Sequence, residues 1–234
     1  MNNTYQMTYA ELDLFGEIIW KLSSHKDNIQ IRIDILPEVG KLLKADVIAS
    51  GICQPGSGKT RDLVGWNLSN SALKEYSEIW EEVDPLTAPL RQKRCPSLAE
   101  EVIKRSELER TDFYHGFLKA NDMFHGINVY FFKEGRDVGD LRIWRAQDMP
   151  HFGAREVSLL TTLEPFFVRG LNTPTESLTP REREVVRLVV TGLSDKEVAR
   201  SLEIGFTTVR SHLNRAMDKL KCANRTELTA RIRN

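Results

Sequence analysis

The chain has 234 residues, 41% hydrophobic and 28% charged, with 33 basic side chains balancing 33 acidic ones. This is the composition of an ordinary soluble globular protein, with room for one large domain or two smaller ones. No apolar run approaches the ~20 residues that span a bilayer, so no membrane partner is expected.

The N-terminal stretch MNNTYQMTYAELDLFGEIIW lacks a basic segment ahead of an apolar core, so no secretion signal is expected. From Tyr9 to Ser23, Leu12, Phe15, Ile18, Ile19 and Leu22 recur at helical spacing and predict an amphipathic helix. A second helix is expected from about Ile29 to Leu43, interrupted at Pro37. Two strand-like runs follow, Ala45 to Cys53 and the alternation of Val64, Trp66 and Leu68, around Gln-Pro-Gly-Ser-Gly. They predict a β-hairpin over 45–68.

Inside that loop, ICQPGSGKTRD imitates the end of a phosphate-binding P-loop. A working P-loop carries glycine where Cys53 stands and opens directly into a helix, whose free N–H groups hold the phosphates. Strand periodicity follows here instead, so no enzyme is expected. A nucleotide-binding enzyme using Lys59 is the alternative from another class.

Ser71 to Val83 reads as a helix carrying Leu73, Tyr76, Ile79 and Trp80, stopped by Asp84-Pro85. After a polar, irregular stretch comes a helical pattern over 106–120 with Leu108, Phe113, Phe117 and Leu118. Ile127 to Phe132 and Leu141 to Ala146 read as strands joined by a glycine-containing turn. Phe152 to Leu171 reads as a long helix bent at Pro165. Residues 1–171 are therefore expected to form an α+β domain, an antiparallel sheet flanked by helices. A pocket between sheet and helices would be lined by Trp66, Tyr76, Trp80, Asp84, Phe113, Tyr114, Phe131 and Trp144. Each aromatic fits plain core equally well, and Asp84 before Pro85 also fits a helix N-cap. His115, His125 and His151 are scattered, no two sharing a helix at i, i+4. The three cysteines, Cys53, Cys95 and Cys222, form no CxxC pair. No metal site, cofactor or disulfide framework is expected, and a cytoplasmic setting fits.

Residues 172–176, NTPTE, read as a polar linker, and beyond it the strand signal disappears. From Ser177 onward twelve Lys and Arg face seven Asp and Glu, so the tail is basic by five and the remainder acidic by five. A basic tail on an acidic body suits a polyanion partner. Thr179-Pro180-Arg181-Glu182, Ser194-Asp195-Lys196-Glu197 and Asn224-Arg225-Thr226-Glu227 are capping sequences, each opening a helix. Between the last two, a third helix starts at Thr207, with Val209, Leu213, Ala216, Met217 and Leu220 on one face. A short helix, a glycine-containing turn and a longer helix make a helix-turn-helix. Thr207, Thr208, Arg210, Ser211, Asn214 and Arg215 lie away from the apolar stripe. Arg and Asn can bond guanine and adenine edges, small Ser and Thr permit close approach, and Lys196, Arg181, Arg200 and Lys219 are candidate phosphate contacts.

From Leu178 to Leu228 the sequence resembles the LuxR-type DNA-binding domain almost end to end: LTPRE, Gly192, Lys-Glu-Val-Ala at 196–199, Thr-Val-Arg-Ser-His at 208–212 and Lys219-Leu220. The resemblance implies that 207–221 is the recognition helix, that Arg210, Ser211 and Asn214 contact DNA, and that the last helix pairs two such domains. It departs at Gly205-Phe206, where Ser and a polar residue are more usual, and at Asn214, often basic in the family. In the front domain EVDPLTAPL, ERTDFYHGFL and LEPFFVRGL resemble LuxR-type regulators with a GAF-like sensor. Trp66, Tyr76, Trp80 and Asp84-Pro85 partly resemble acyl-homoserine-lactone receptors, whose Asp bonds the ligand amide. The expectation is a GAF/PAS-like sensor over 1–171 and a four-helix tail over 177–234. The partners implied are double-stranded DNA, a second copy in a homodimer, RNA polymerase and a small-molecule ligand. The two recognition helices would enter successive major grooves about one helical turn apart.

Overall fold

The computed structural model describes residues 6–23, 27–54, 56–172 and 178–233. Pro55 of the hairpin loop and 173–176 of the expected linker lie outside them. The chain divides into two compact units, 1–24 with 29–171 and 25–28 with 172–234.

The first unit opens with α1 (Tyr9–Leu22), whose capping box joins Thr8 and Glu11, and α2 (Asn28–Leu43). Contrary to expectation, α2 runs through Pro37. A helix-interior proline costs ~3 kcal/mol. The near-complete burial of Ile31, Ile35, Leu36, Val39, Leu42 and Leu43, at ~1.5–3 kcal/mol each, outweighs that cost. Strands β1 (Val47–Cys53) and β2 (Thr60–Trp66) form the expected hairpin. Gly56 and Gly58 adopt positive φ in its loop, and Lys59 leads into a strand and pairs with Glu82. A strand, not a helix, follows the glycines, so this loop does not open into the helix N-terminus that holds phosphates in a P-loop.

The next layer is broken into short pieces. α3 (Asn70–Glu75) continues into a wide i→i+5 turn at Tyr76–Trp80 and a 3-10 turn at Glu81–Val83. The stretch expected to be irregular holds α4 (Thr87–Lys93) and the two-residue β3 (Ser97–Leu98). The single helix expected over 106–120 is two segments, α5 (Arg105–Leu108) and a second wide turn at Tyr114–Leu118. They part at Thr111, whose hydroxyl donates to the Leu108 carbonyl and accepts the Tyr114 N–H. A hydroxyl that offers the backbone such bonds ends one helical segment and starts the next.

β4 (His125–Lys133) and β5 (Arg136–Arg145) complete a five-stranded antiparallel sheet of order β2-β1-β5-β4-β3. A bulge between Phe131 and Phe132 shifts the β4–β5 register. On one face α1, α2 and α6 (Ala154–Leu171) pack on Ile48, Ile127, Val129, Phe131 and Ile143, with Phe131 stacked on Phe167 at 4.6 Å. On the other, Val47, Tyr130 and Trp144 meet the short helical pieces. The second unit is four helices: α7 (Pro180–Val190), α8 (Asp195–Ser201), α9 (Phe206–Lys219) and α10 (Arg225–Arg233).

Candidate functional site

The α7–α10 core is built by the apolar stripe of α9. Val209, Leu213, Ala216 and Leu220 are buried against Val185, Val186, Val189 and Val198. That burial fixes the rotation of α9 and turns its other side outward. Thr207, Thr208, Arg210, Ser211, Asn214 and Arg215 are all exposed, as is Lys196 on α8. α9 starts at Phe206, one residue earlier than the sequence suggested, because Gly205 takes the extended N-cap conformation. Gly205 supplies no side-chain cap, so the amides of the first turn stay open to an anion. The Arg210 guanidinium lies 5.9 Å from the centroid of the exposed Phe206 ring.

Two candidate phosphate contacts are engaged within the fold instead. Lys219 Nζ donates to Glu182 Oε2 at 2.7 Å, and the same carboxylate oxygen accepts the Thr179 N–H at 2.8 Å, closing the capping box of α7. Burial pushes the Glu182 carboxyl up, but Lys219 and Thr179 together outweigh it and hold the group below the usual carboxylate range. Arg181 bonds Glu184 and the Leu202 carbonyl. Arg225 donates to Asp195 at 2.5 Å and to the Leu193 carbonyl, tying α10 to the start of α8. Arg200 and Lys196 remain exposed.

In the first unit, a cavity of about 30 Å³ lies between the sheet and the short helical pieces. Its walls are Leu63, Leu73, Leu86, Phe113, Phe117, Met123 and Trp144, with Tyr76, Asp84, Thr87, Asn128 and Arg142 as polar lining. Arg142 donates Nε and Nη2 to Asp140 Oδ2, Nη1 to the Tyr76 hydroxyl at 2.8 Å and Nη2 to Thr60 at 3.0 Å. The Tyr76 hydroxyl donates to Asp84 Oδ2 at 2.8 Å. Thr87 donates to the same oxygen, and Asp84 Oδ1 accepts the amides of Leu86 and Thr87 at the start of α4. Burial pushes the Tyr76 phenol well above its ordinary range, so it stays a donor at neutral pH. Asn128 Nδ2 donates to Tyr130, while Asn128 Oδ1 is buried with no partner among the described residues.

Of the lining residues read from sequence, the structure brings Tyr76, Asp84, Phe113 and Trp144 to this cavity. Trp66 and Phe131 face the other side of the sheet, Trp66 against Gly40 of α2. Trp80 and Tyr114 belong to the helical layer outside the lining, Trp80 pressed on Gly116 and Tyr114 beside His115. The sequence reading missed Thr87, Asn128 and Arg142. The Asp140-Arg142-Trp144 alternation within β5 carried the signal, since period two puts all three on one face.

Residues 176–232 match the model of the GerE domain, "Bacterial regulatory proteins, luxR family". The chain carries a LuxR-type DNA-binding domain. Beyond that domain the likeness thins. The monoamine regulon transcriptional regulator of Klebsiella aerogenes is 27% identical over 180 residues, 74% of this chain and 78% of that protein. The nitrate/nitrite response regulator NarL of Escherichia coli is 42% identical over 50 residues, 21% of this chain and 23% of NarL. Among solved structures, SdiA, an Escherichia coli protein, in complex with octanoyl-rac-glycerol aligns with TM-score 0.50 at 17% identity, covering 97% of this chain and 95% of SdiA. The GAF domain of a phosphoenolpyruvate-protein phosphotransferase from Coxiella burnetii aligns with the same score and identity over 70% of this chain and 95% of that domain. The first unit thus has a GAF-like fold, and the second is the LuxR-type helix-turn-helix.

Proposed function

We propose that this chain is a cytoplasmic, non-enzymatic transcriptional regulator. It binds specific duplex sequences as a homodimer and is controlled by a small molecule in the GAF-like unit. The observation that carries the reading is the outward strip of α9 in a LuxR-type domain: Arg210, Ser211 and Asn214 toward base edges, with Thr207, Thr208, Arg215 and Lys196 toward phosphates. Selection from random duplexes tests it, followed by anisotropy titration of the enriched site. Arg210→Ala should cost ~1–3 kcal/mol of specific binding. Unchanged affinity in that variant, or no enriched sequence, overturns the assignment.

Dimerisation is supported by an exposed apolar stripe on α1, where Tyr9, Leu12, Gly16 and Trp20 share one helical face and Trp20 is 80% exposed. For the ligand, the cavity chemistry argues for a mostly apolar molecule presenting one hydrogen-bond donor to Asn128 Oδ1. Asp84 already accepts four protein donors, which fills its acceptor sites and sets this reading apart from that of an acyl-homoserine-lactone receptor. At about 30 Å³ the space holds only about two or three waters, so a larger ligand enters by moving the helical layer. The two wide turns that contribute Tyr76 and Phe117 are the natural places to give. Any such ligand shifts DNA affinity only through unequal affinity for two states of the protein. Native mass spectrometry of protein purified from its own host reads oligomer and retained small molecule together.

A further inference from the structure

Away from the cavity, three side chains that sequence spacing kept apart meet at the β3 edge of the sheet. β3 pairs with β4 so that Leu98 faces Ile127, and the 3-10 turn that follows, Ala99–Glu101, brings Glu100 close to His125, the first residue of β4. His151 arrives from the loop after β5, which Arg145 clamps by donating to the carbonyls of Pro150 and His151 at 2.9 and 3.1 Å. The His125 and His151 rings lie 3.9 Å apart, and His151 Nδ1 is 3.6 Å from Glu100 Oε1. One ligand atom from each of the three falls within 4.8 Å of the others.

We propose that Glu100, His125 and His151 form a binding site for a zinc-class divalent transition-metal ion. His125 is 4% exposed, and its Nδ1 has no hydrogen-bond partner among the described residues, so this buried nitrogen is available as a ligand atom beside the other two side chains. A neutral imidazole offers one nitrogen lone pair, so His125 can serve as a ligand through Nδ1. Two imidazoles and one carboxylate select zinc-like ions over calcium or magnesium, which take all-oxygen sets. Tetrahedral coordination needs neighbouring ligand atoms about 3.3–3.5 Å apart. The exposed side chains of Glu100 and His151 can close the remaining distance. Arg105 is the nearest competing cation, but it reaches only 3.9 Å from Glu100 and is held by the Phe124 carbonyl and ring. A bound ion would fasten the 146–153 loop, and with it the start of α6, to the edge of the sheet.

The test uses the full chain, freed of metal by chelation and titrated with Zn²⁺ against a chromogenic chelator, with Co²⁺ as spectroscopic probe. One equivalent of Zn²⁺ is expected at micromolar affinity or tighter. His151→Ala and Glu100→Gln should each weaken it at least tenfold. Both side chains are exposed, so these variants avoid the folding risk of altering buried His125. The Co²⁺ spectrum should show d–d bands without the intense near-ultraviolet thiolate charge-transfer band that Cys53 or Cys95 would give. No stoichiometric binding, affinity unchanged in both variants, or a thiolate band would overturn the site.

Discussion

Replacing Lys219 by Met asks whether this cation serves the fold or the phosphate backbone. Its ammonium is 2.7 Å from Glu182 Oε2, a carboxylate only 3% exposed, while the Lys219 side chain is 38% exposed. A charge-assisted hydrogen bond is worth ~1.5–3 kcal/mol, and screening at the open side reduces that to ~1–2 kcal/mol. In a domain of this size 1 kcal/mol moves the midpoint by roughly 4–8 °C, so the variant should lower the LuxR-type domain's transition by about 5–15 °C. All four tryptophans lie ahead of residue 172. Hydrogen exchange in α7 and α9 therefore reads the effect, with tryptophan fluorescence as a control on the first unit. The sign with pH follows from Glu182. Its folded pKa is depressed, so its stabilisation is present above the ordinary carboxylate range and lost as pH falls through the lowered value. The gap between variant and wild type should accordingly narrow in acid. On DNA, a lost phosphate contact would reduce the salt slope by about 1, whereas a purely structural lysine leaves it unchanged. Unaltered exchange in α7 together with a slope reduced by one would refute the structural assignment.

Asp137 makes the opposite acid–base case. Burial, then the nearby Asp140 charge, push its carboxyl up to about 6 despite the Arg91 guanidinium at 3.0 Å. Its contribution to stability is fully present below the unfolded value near 4 and is lost as pH rises through about 6. Wild type should gain about 1 kcal/mol between pH 7 and 5 relative to Asp137→Asn in urea titrations, and parallel pH profiles would contradict this. Gly116→Ala should destabilise the first unit by ~1–3 kcal/mol, because a Cβ there would stand 2.2 Å from the Trp80 ring. An unchanged tryptophan-detected midpoint would count against that packing. Leu12→Glu with Trp20→Glu should shift sedimentation from dimer to monomer, and a dimer that persists would remove α1 from the interface.

What was legible in the sequence follows from how much each segment decides locally. α1 and α9 carry long periodic stripes, and α1, α7 and α8 also open on side chains that cap their own ends, so these helices are written locally in the sequence. α4 and β3 have seven and two residues and no period to detect; the sheet edge and the cavity hold them. Choosing cavity aromatics succeeded for Tyr76, Phe113 and Trp144 but not for Trp66 and Phe131, for a different reason. Both faces of this sheet are covered by helices, so alternation between apolar and polar residues is lost and aromatic content cannot say which face is which. Phe131 and Trp66 thus read like Trp144, although they point to the opposite layer. The His125 cluster was missed because its three residues come from a 3-10 turn, a strand end and a loop, far apart in sequence, and meet only in the fold.

The buried Arg142 deserves its place only if it does more than stabilise, since a buried ion pair often loses to a well-packed hydrocarbon of the same size. Its donors reach β5 through Asp140, β2 through Thr60 and the helical layer through Tyr76. Tyr76 in turn fixes Asp84, and Asp84 holds the first amides of α4. One continuous chain of hydrogen bonds therefore runs from the sheet, along the cavity wall, to the start of a helix. An occupant that parted Tyr76 from Arg142 would leave a guanidinium bond unmade in a dry interior, at a cost of roughly 1–3 kcal/mol. One that left the pair joined would incur no such cost. That difference lies within the ~1–3 kcal/mol typical of coupling between sites, so under the proposed function the network that makes the cavity polar at one end would also set how strongly an occupant acts on the helical layer.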